Sequence, residues 1–172
     1  MDLKELREEN ARHASEVLTA LGLTPIWAVY GKGRDEYEAP GDYDPLVKSL
    51  GPDLLVQVDE DSYNGCSFLL YGTPGGQYGF LSFGWGSCSG CDALRQCESW
   101  GDVETLRKRL LGDIHWASDR LQMWLWLTDE EIQTLKWHWG SVSFAEFLKH
   151  AARQMFGVEY RDVNAPRTDA QG

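Results

Sequence analysis

The chain has 172 residues, 42% of them hydrophobic and 8 of them Trp, which suits one folded domain and excludes a disordered tail. Its 27 acidic and 16 basic side chains give a formal charge of −11, which disfavours nucleic acid as a partner. No apolar run is long enough to span a membrane, and the charged start MDLKELREEN does not read as a secretory signal, so a cytoplasmic protein is expected.

Asp2 can cap a helix over residues 3–21, where Leu3, Leu6, Ala14, Val17, Leu18 and Leu21 form one apolar stripe. Gly22 and Pro25 stop it. Residues 26–30 (IWAVY) predict a short buried strand, and 31–43 a loop. Asp44-Pro45 reads as a cap with Pro at the first helical position, opening a short helix to about Leu50 that Gly51 closes. Residues 54–58 (LLVQV) predict a strand.

Residues 66–71 and 78–83 flank a turn cluster at 73–77 and predict a β-hairpin. With Gly72 opposite Tyr78, Phe68 faces Ser82, Leu69 faces Leu81 and Leu70 faces Phe80. Both faces are then apolar, so the hairpin should be central and covered on both sides. Gly79 and Gly84 are candidates for bulges or close backbone approach.

From residue 92 the pattern turns helical. Residues 92–100 form a short helix at most. Asp102 can cap a helix through about Leu111, with Val103, Leu106 and Leu110 on one side. A further helix is expected over 114–127. Thr128-x-x-Glu131 reads as a capping box for a helix ending near Gly140. Ser143-x-x-Glu146 is a second one, for a helix through Phe156 that Gly157 ends. Residues 158–163 predict an edge strand and 164–172 a loose tail. The order gives one α+β domain over 1–163: a small antiparallel sheet around the 66–83 hairpin, helices packed on it, and a helical C-terminal half.

The acidic charge is concentrated. Residues 1–60 carry 6 basic and 13 acidic side chains, a net of −7. The densest run, 35–61, has nine acids against the single Lys48, with Tyr37 and Tyr43 among them. Asp35, Glu36, Tyr37, Glu38, Asp42 and Tyr43 are therefore candidate partner-binding residues, with Tyr as amphipathic anchors. Against this stands a solvated acidic loop that serves solubility.

Three of four cysteines flank one strand-to-helix turn: Cys88-Ser89-Gly90-Cys91, then Cys97; the hairpin register sets Cys66 opposite Gly84, which lies four residues before Cys88. Zinc would take Cys66, Cys88, Cys91 and Cys97, since a structural site wants four tetrahedral ligands. Cys97 is the weak member, because six helical residues turn it away from Cys91. Thiol redox chemistry is suggested by C-x-x-C before a helix, yet Asp92 opposes thiolate formation there. A zinc deaminase needs an upstream H-x-E, and His13 is followed by Ala14-Ser15. The plainest account treats the cysteines as small buried side chains beside a tight Gly/Ser turn. Such a turn could still hold an anion through its N–H groups, which makes Gly86, Ser87, Ser89, Gly90 and Asp92 candidate ligand-binding residues.

Residues 78–94, YGFLSFGWGSCSGCDAL, resemble the core of small proteins encoded by actinobacterial phages and prophages. Asp61-Ser62-Tyr63 before the hairpin and Ile114-His115-Trp116 after it extend the likeness over about 59–116, a third of the chain. The resemblance implies a phage-like source and a cytoplasmic setting, and brings no activity with it. Small acidic phage proteins often act by binding a host protein.

The histidines His13, His115, His138 and His150 are scattered and form no readable triad. Trp116, Trp124, Trp126, Trp137 and Trp139 crowd the C-terminal half; one of each close pair is expected to be the less buried, as core filler or exposed patch. The sequence thus favours a non-enzymatic binding protein, a phage effector or inhibitor that engages a host protein or a small anionic ligand. The alternative is zinc binding or thiol redox at the cysteine cluster. No other cofactor is expected.

Overall fold

The computed structural model describes residues 23–51, 53–61, 64–86, 92–132 and 141–158. In chain order these form α1 (Ile26–Val29), α2 (Asp44–Lys48), β1 (Asp53–Asp59), β2 (Gly65–Gly72), β3 (Tyr78–Trp85), α3 (Trp100–Asp113), β4 (His115–Ala117), α4 (Arg120–Leu127) and α5 (Ser141–Phe156). A further helical turn covers 130–132. The strands make one antiparallel sheet in the order β1-β2-β3-β4. The chain is therefore α+β, as its pattern predicts.

The hairpin carries the predicted register: Phe68 opposes Ser82, Leu69 opposes Leu81 and Leu70 opposes Phe80. Every residue of β2 is buried. Alternation sends Leu69, Tyr71 and Leu81 into one core with Leu46, Val47, Trp100, Val103 and Leu106. It sends Phe68, Leu70 and Phe80 into a second core with Met123, Leu127, Phe144, Phe147 and Leu148. The sheet is thus the middle of three layers, with α1, α2 and α3 on one face and α4 and α5 on the other. Burying each large apolar side chain contributes about 1.5–3 kcal/mol. Gly79 is a close-approach position: a Cβ there would stand 2.8 Å from the Ile114 side chain and from the Trp116 ring. Its lack of a side chain lets β4 lie against β3.

Several expectations change. Residues 26–30 are not a strand. Pro25 occupies the N-cap of α1, and Ile26 is buried in the core that α3 shares. An apolar run this short fits a strand or one buried helical turn equally well, and packing decides. The 114–127 segment is not one helix: His115–Ala117 pairs with β3, and Asp119 then caps α4 by accepting from Leu121 N and Gln122 N. Residues 92–97 form a turn rather than a helix.

The caps shift too. Ser99, not Asp102, caps α3, and Asp102 sits at the third helical position, where its carboxylate accepts from Ser99 Oγ and Glu98 N. Asp129 accepts from Glu131 N, whereas Thr128 donates its hydroxyl to Trp124 O. Ser143 lies inside α5, and Glu146 pairs with Lys149 at 2.9 Å and His150 at 3.3 Å. Gly157 ends α5 at φ 69°, as expected. For α2, Asp44 is the first helical residue and Asp42 Oδ1 accepts its N–H at 2.8 Å. The helix at 3–21, the strand at 158–163 beyond Val158, the tail, and Trp137, Trp139, His13 and His138 lie outside the described residues. Trp124 and Trp126 are both half-buried, against Phe156 and against Phe80 and His115.

Arg107 is a buried strut. It is 1% exposed, pairs with Glu104, and donates to the carbonyls of Thr24 and Ser49, tying α1 and α2 to α3. Burial pushes the Glu104 carboxyl up despite that partner. Among the described residues no helix is long and apolar enough to cross a membrane.

Candidate functional site

A cleft of about 570 Å³ opens on the α1–α2–α3 side of the sheet. Its floor is the end of the sheet: Gln57 and Asp59 from β1, Ser67 from β2, Phe83 and Trp85 from β3. One wall is the 40–44 segment, and the other is Gly86, Asp92, Leu94 and Arg95. Two segments far apart in sequence, the acidic run and the turn after β3, therefore meet at one place.

A hydrogen-bonded chain fixes the floor. Trp85 Nε1 donates to Ser67 Oγ at 3.0 Å, and Ser67 donates on to Asp59 Oδ1 at 2.6 Å. The Gln57 amide donates to Asp59 Oδ2 at 2.9 Å and to Asp44 Oδ1 at 3.0 Å. Lys48 closes the chain on Asp44 Oδ2 at 3.2 Å. The Gln57 bond, with Lys48 behind it, holds the Asp44 carboxyl below its ordinary range. Gly65 makes room for this arrangement, since a Cβ there would meet the Trp85 ring at 2.8 Å. Two carboxylates are thus held side by side by a neutral amide, with the exposed Lys48 paired to Asp44 at 3.2 Å and Arg95 on the opposite wall.

The wall is fixed by Asp92, which is 4% exposed. Its carboxylate accepts from Gly86 N at 3.3 Å, Leu94 N at 2.9 Å, Arg95 N at 3.1 Å and Tyr43 OH at 3.0 Å. The Tyr43 hydroxyl in turn accepts from Leu94 N at 3.0 Å, and its ring lies 4.9 Å from Phe83. Asp92 organises the turn internally, and Tyr43 is the bolt that joins the two walls. Burial and the nearby Asp92 carboxylate raise the Tyr43 phenol well above its ordinary value.

The sequence-derived residues divide as follows. Asp42, Tyr43, Gly86 and Asp92 line the cleft. Asp35, Glu36 and Glu38 are exposed on a loop outside it, where Glu38 pairs with Lys32 at 2.7 Å. Tyr37 is turned inward: its hydroxyl donates to the Cys97 carbonyl and its ring packs edge-on against Trp100 at 5.2 Å. Burial pushes its phenol up to about 12. Ser87, Ser89, Gly90, Cys88 and Cys91 lie outside the described residues.

Cys66 and Cys97 are buried in different cores on opposite faces of the sheet, so the fold does not bring these two thiols to one centre. Burial pushes the Cys97 thiol up to about 11, away from the thiolate that metal binding or exchange needs. Among the described residues no group of three or more His, Cys, Asp or Glu side chains is arranged to hold a metal ion.

Gln57, Ser67, Phe83 and Trp85 were not singled out by sequence. The hairpin register alone sets Ser67 opposite Phe83 and Trp85 opposite Gly65, which accounts for three of the five floor residues. No local pattern revealed the β1 offset that adds Gln57 and Asp59. No family model matches the chain, and neither a curated protein nor a solved structure matches it.

Proposed function

We propose that this is a non-enzymatic binding protein that captures a basic segment of a partner protein in the acidic cleft. One observation carries the reading: Asp42, Asp44 and Asp59 stand around the same cleft as the rings of Tyr43, Phe83 and Trp85. Carboxylates draw a cationic side chain in, and aromatic faces hold its alkyl stem or its charge. The same carboxylates repel an anion, so a basic protein segment is favoured over a small anionic ligand. A phage-encoded effector acting on a host protein in the cytoplasm is the setting we propose, on the resemblance of residues 78–94.

The test is a titration with an oligo-arginine peptide followed by tryptophan fluorescence. Saturable binding that weakens with salt is expected. The double variant Asp44→Asn/Asp59→Asn should bind about tenfold more weakly. A control variant, Asp35→Asn/Glu36→Gln, changes acids outside the cleft and should bind as the native protein does. Equal weakening by both variants would show a diffuse charge effect and remove the cleft from consideration.

A further inference from the structure

The outer edge of β1 borders the cleft. In the sheet order β1 is an end strand, and among the described residues none pairs with its outer side. The direction of its backbone groups follows from the register. Glu60 N donates to Cys66 O, and the β1 ladder continues from that pair as Asp59 opposite Ser67, Val58 opposite Phe68, Gln57 opposite Leu69 and Val56 opposite Leu70. In an antiparallel pair, residues alternate between bonding the neighbour and pointing away from it. Glu60, Val58 and Val56 therefore face β2, while the N–H and C=O of Gln57 and Asp59 point to the outer edge, away from β2. The hairpin gives an independent check. Thr73 N donates to Gln77 O, so the odd-numbered residues of β2 bond β3 and the even-numbered ones are left for β1.

Gln57 and Asp59 are also the two β1 residues whose side chains form the cleft floor. The same two residues thus present backbone to the edge and side chain to the cleft. We infer that the partner segment binds as an added antiparallel strand along β1, with basic side chains at alternate positions opposite Gln57 and Asp59. Directly opposed residues share a face, so those side chains enter the acidic cleft while the intervening ones turn to the other face. This inference rests on the reading of the cleft as a site for a basic partner.

The edge itself selects such a partner. Exposed Asp53 and Asp59 end the strand, and the register shifts between Leu54 and Val56, leaving four regular residues. Charge and a bulge discourage indiscriminate pairing, including pairing with β1 of a second copy, whose acids would meet these. A strand that carries Arg or Lys at alternate positions meets complementary charge instead.

The experiment uses an acetylated, amidated peptide in which arginine alternates with threonine. Two N-methylated forms accompany it. One is methylated at the arginines, whose N–H groups would bond β1; the other is methylated at the threonines, whose N–H groups would point away. We expect the first to bind about tenfold more weakly and the second to match the parent. Equal binding by all three overturns strand addition and leaves capture of a basic group by the cleft standing. Binding of free arginine amide as tight as that of the peptide also overturns it, in favour of a small cation. Failure of every arginine probe to bind overturns both readings.

Discussion

Asp92→Ala should unlock the cleft wall, and the cost can be worked from the contacts. The carboxylate accepts four hydrogens, from Gly86, Leu94 and Arg95 backbone N–H groups and the Tyr43 hydroxyl. Hydrogen bonds to a charged acceptor contribute about 1.5–3 kcal/mol each, but four on one group do not add. Leu94 N keeps the Tyr43 oxygen as an acceptor, and Arg95 is exposed, so its N–H can turn to water. The buried Gly86 N–H loses its Asp92 acceptor and the Tyr43 hydroxyl loses the group it donates to, which gives about 3–5 kcal/mol in all. That is a large share of the ~5–15 kcal/mol a domain has. Asp92→Asn with its oxygen in the Oδ1 position keeps three of the four bonds and meets only the longest, to Gly86, with a donor; about 1–2 kcal/mol is expected. Urea denaturation followed by far-UV circular dichroism measures both. An Ala variant within about 0.5 kcal/mol of the native protein would refute the reasoning, because ordinary surface substitutions cost no more. So would an Asn variant as unstable as Ala, since net charge rather than acceptor geometry would then govern the turn.

Two further predictions concern side chains in opposite cores. His115 stacks on Trp126 at 3.8 Å, and burial holds its imidazole below the ordinary 6.5. The unfolded chain takes up this proton first as pH falls, so the stabilisation is full above 6.5 and is lost toward the lower folded value. Thermal melts from neutral to mildly acidic pH should show a steeper loss for the native protein than for His115→Gln, and parallel losses would contradict the assignment. The Cys97 thiol, 7% exposed and raised to about 11, should resist iodoacetamide in the folded protein and react on unfolding. Peptide mass mapping reads this directly; rapid native labelling of Cys97 would return thiol chemistry to consideration.

The hairpin was legible because its register depends on short-range features: a turn cluster and two apolar runs of equal length. The strand at 54–58 and the end of α5 at Gly157 were legible for the same local reasons. Residues 26–30 misled because a four-residue helix offers no periodicity to read, and its place is set by Ile26 packing into the core beside α3. The 114–127 segment misled because apolar residues lie on both sides of its middle and no Gly or Pro divides them. Ser118-Asp119, a cap pair in mid-segment, was the signal that could have divided it. Of the cleft, the acids were visible and their arrangement was not. Tyr43 and Asp92 are 49 positions apart, and only the folded chain joins them. Tyr37 shows the reverse: an apparent surface anchor by composition, it is held inward by Trp100 and the Cys97 carbonyl.

The complete burial of β2 has a consequence for how the molecule opens. Its amides are shared property of both cores: undocking α4 and α5 leaves α1, α2 and α3 over the other face, and the converse holds. Neither motion alone strips β2 of β1 and β3. Its hydrogens should therefore exchange with solvent through whole-molecule unfolding, while the three-residue β4 can fray on its own. The β2 amides become an internal gauge of global stability, against which a partner seated along β1 would register as slower exchange throughout the sheet.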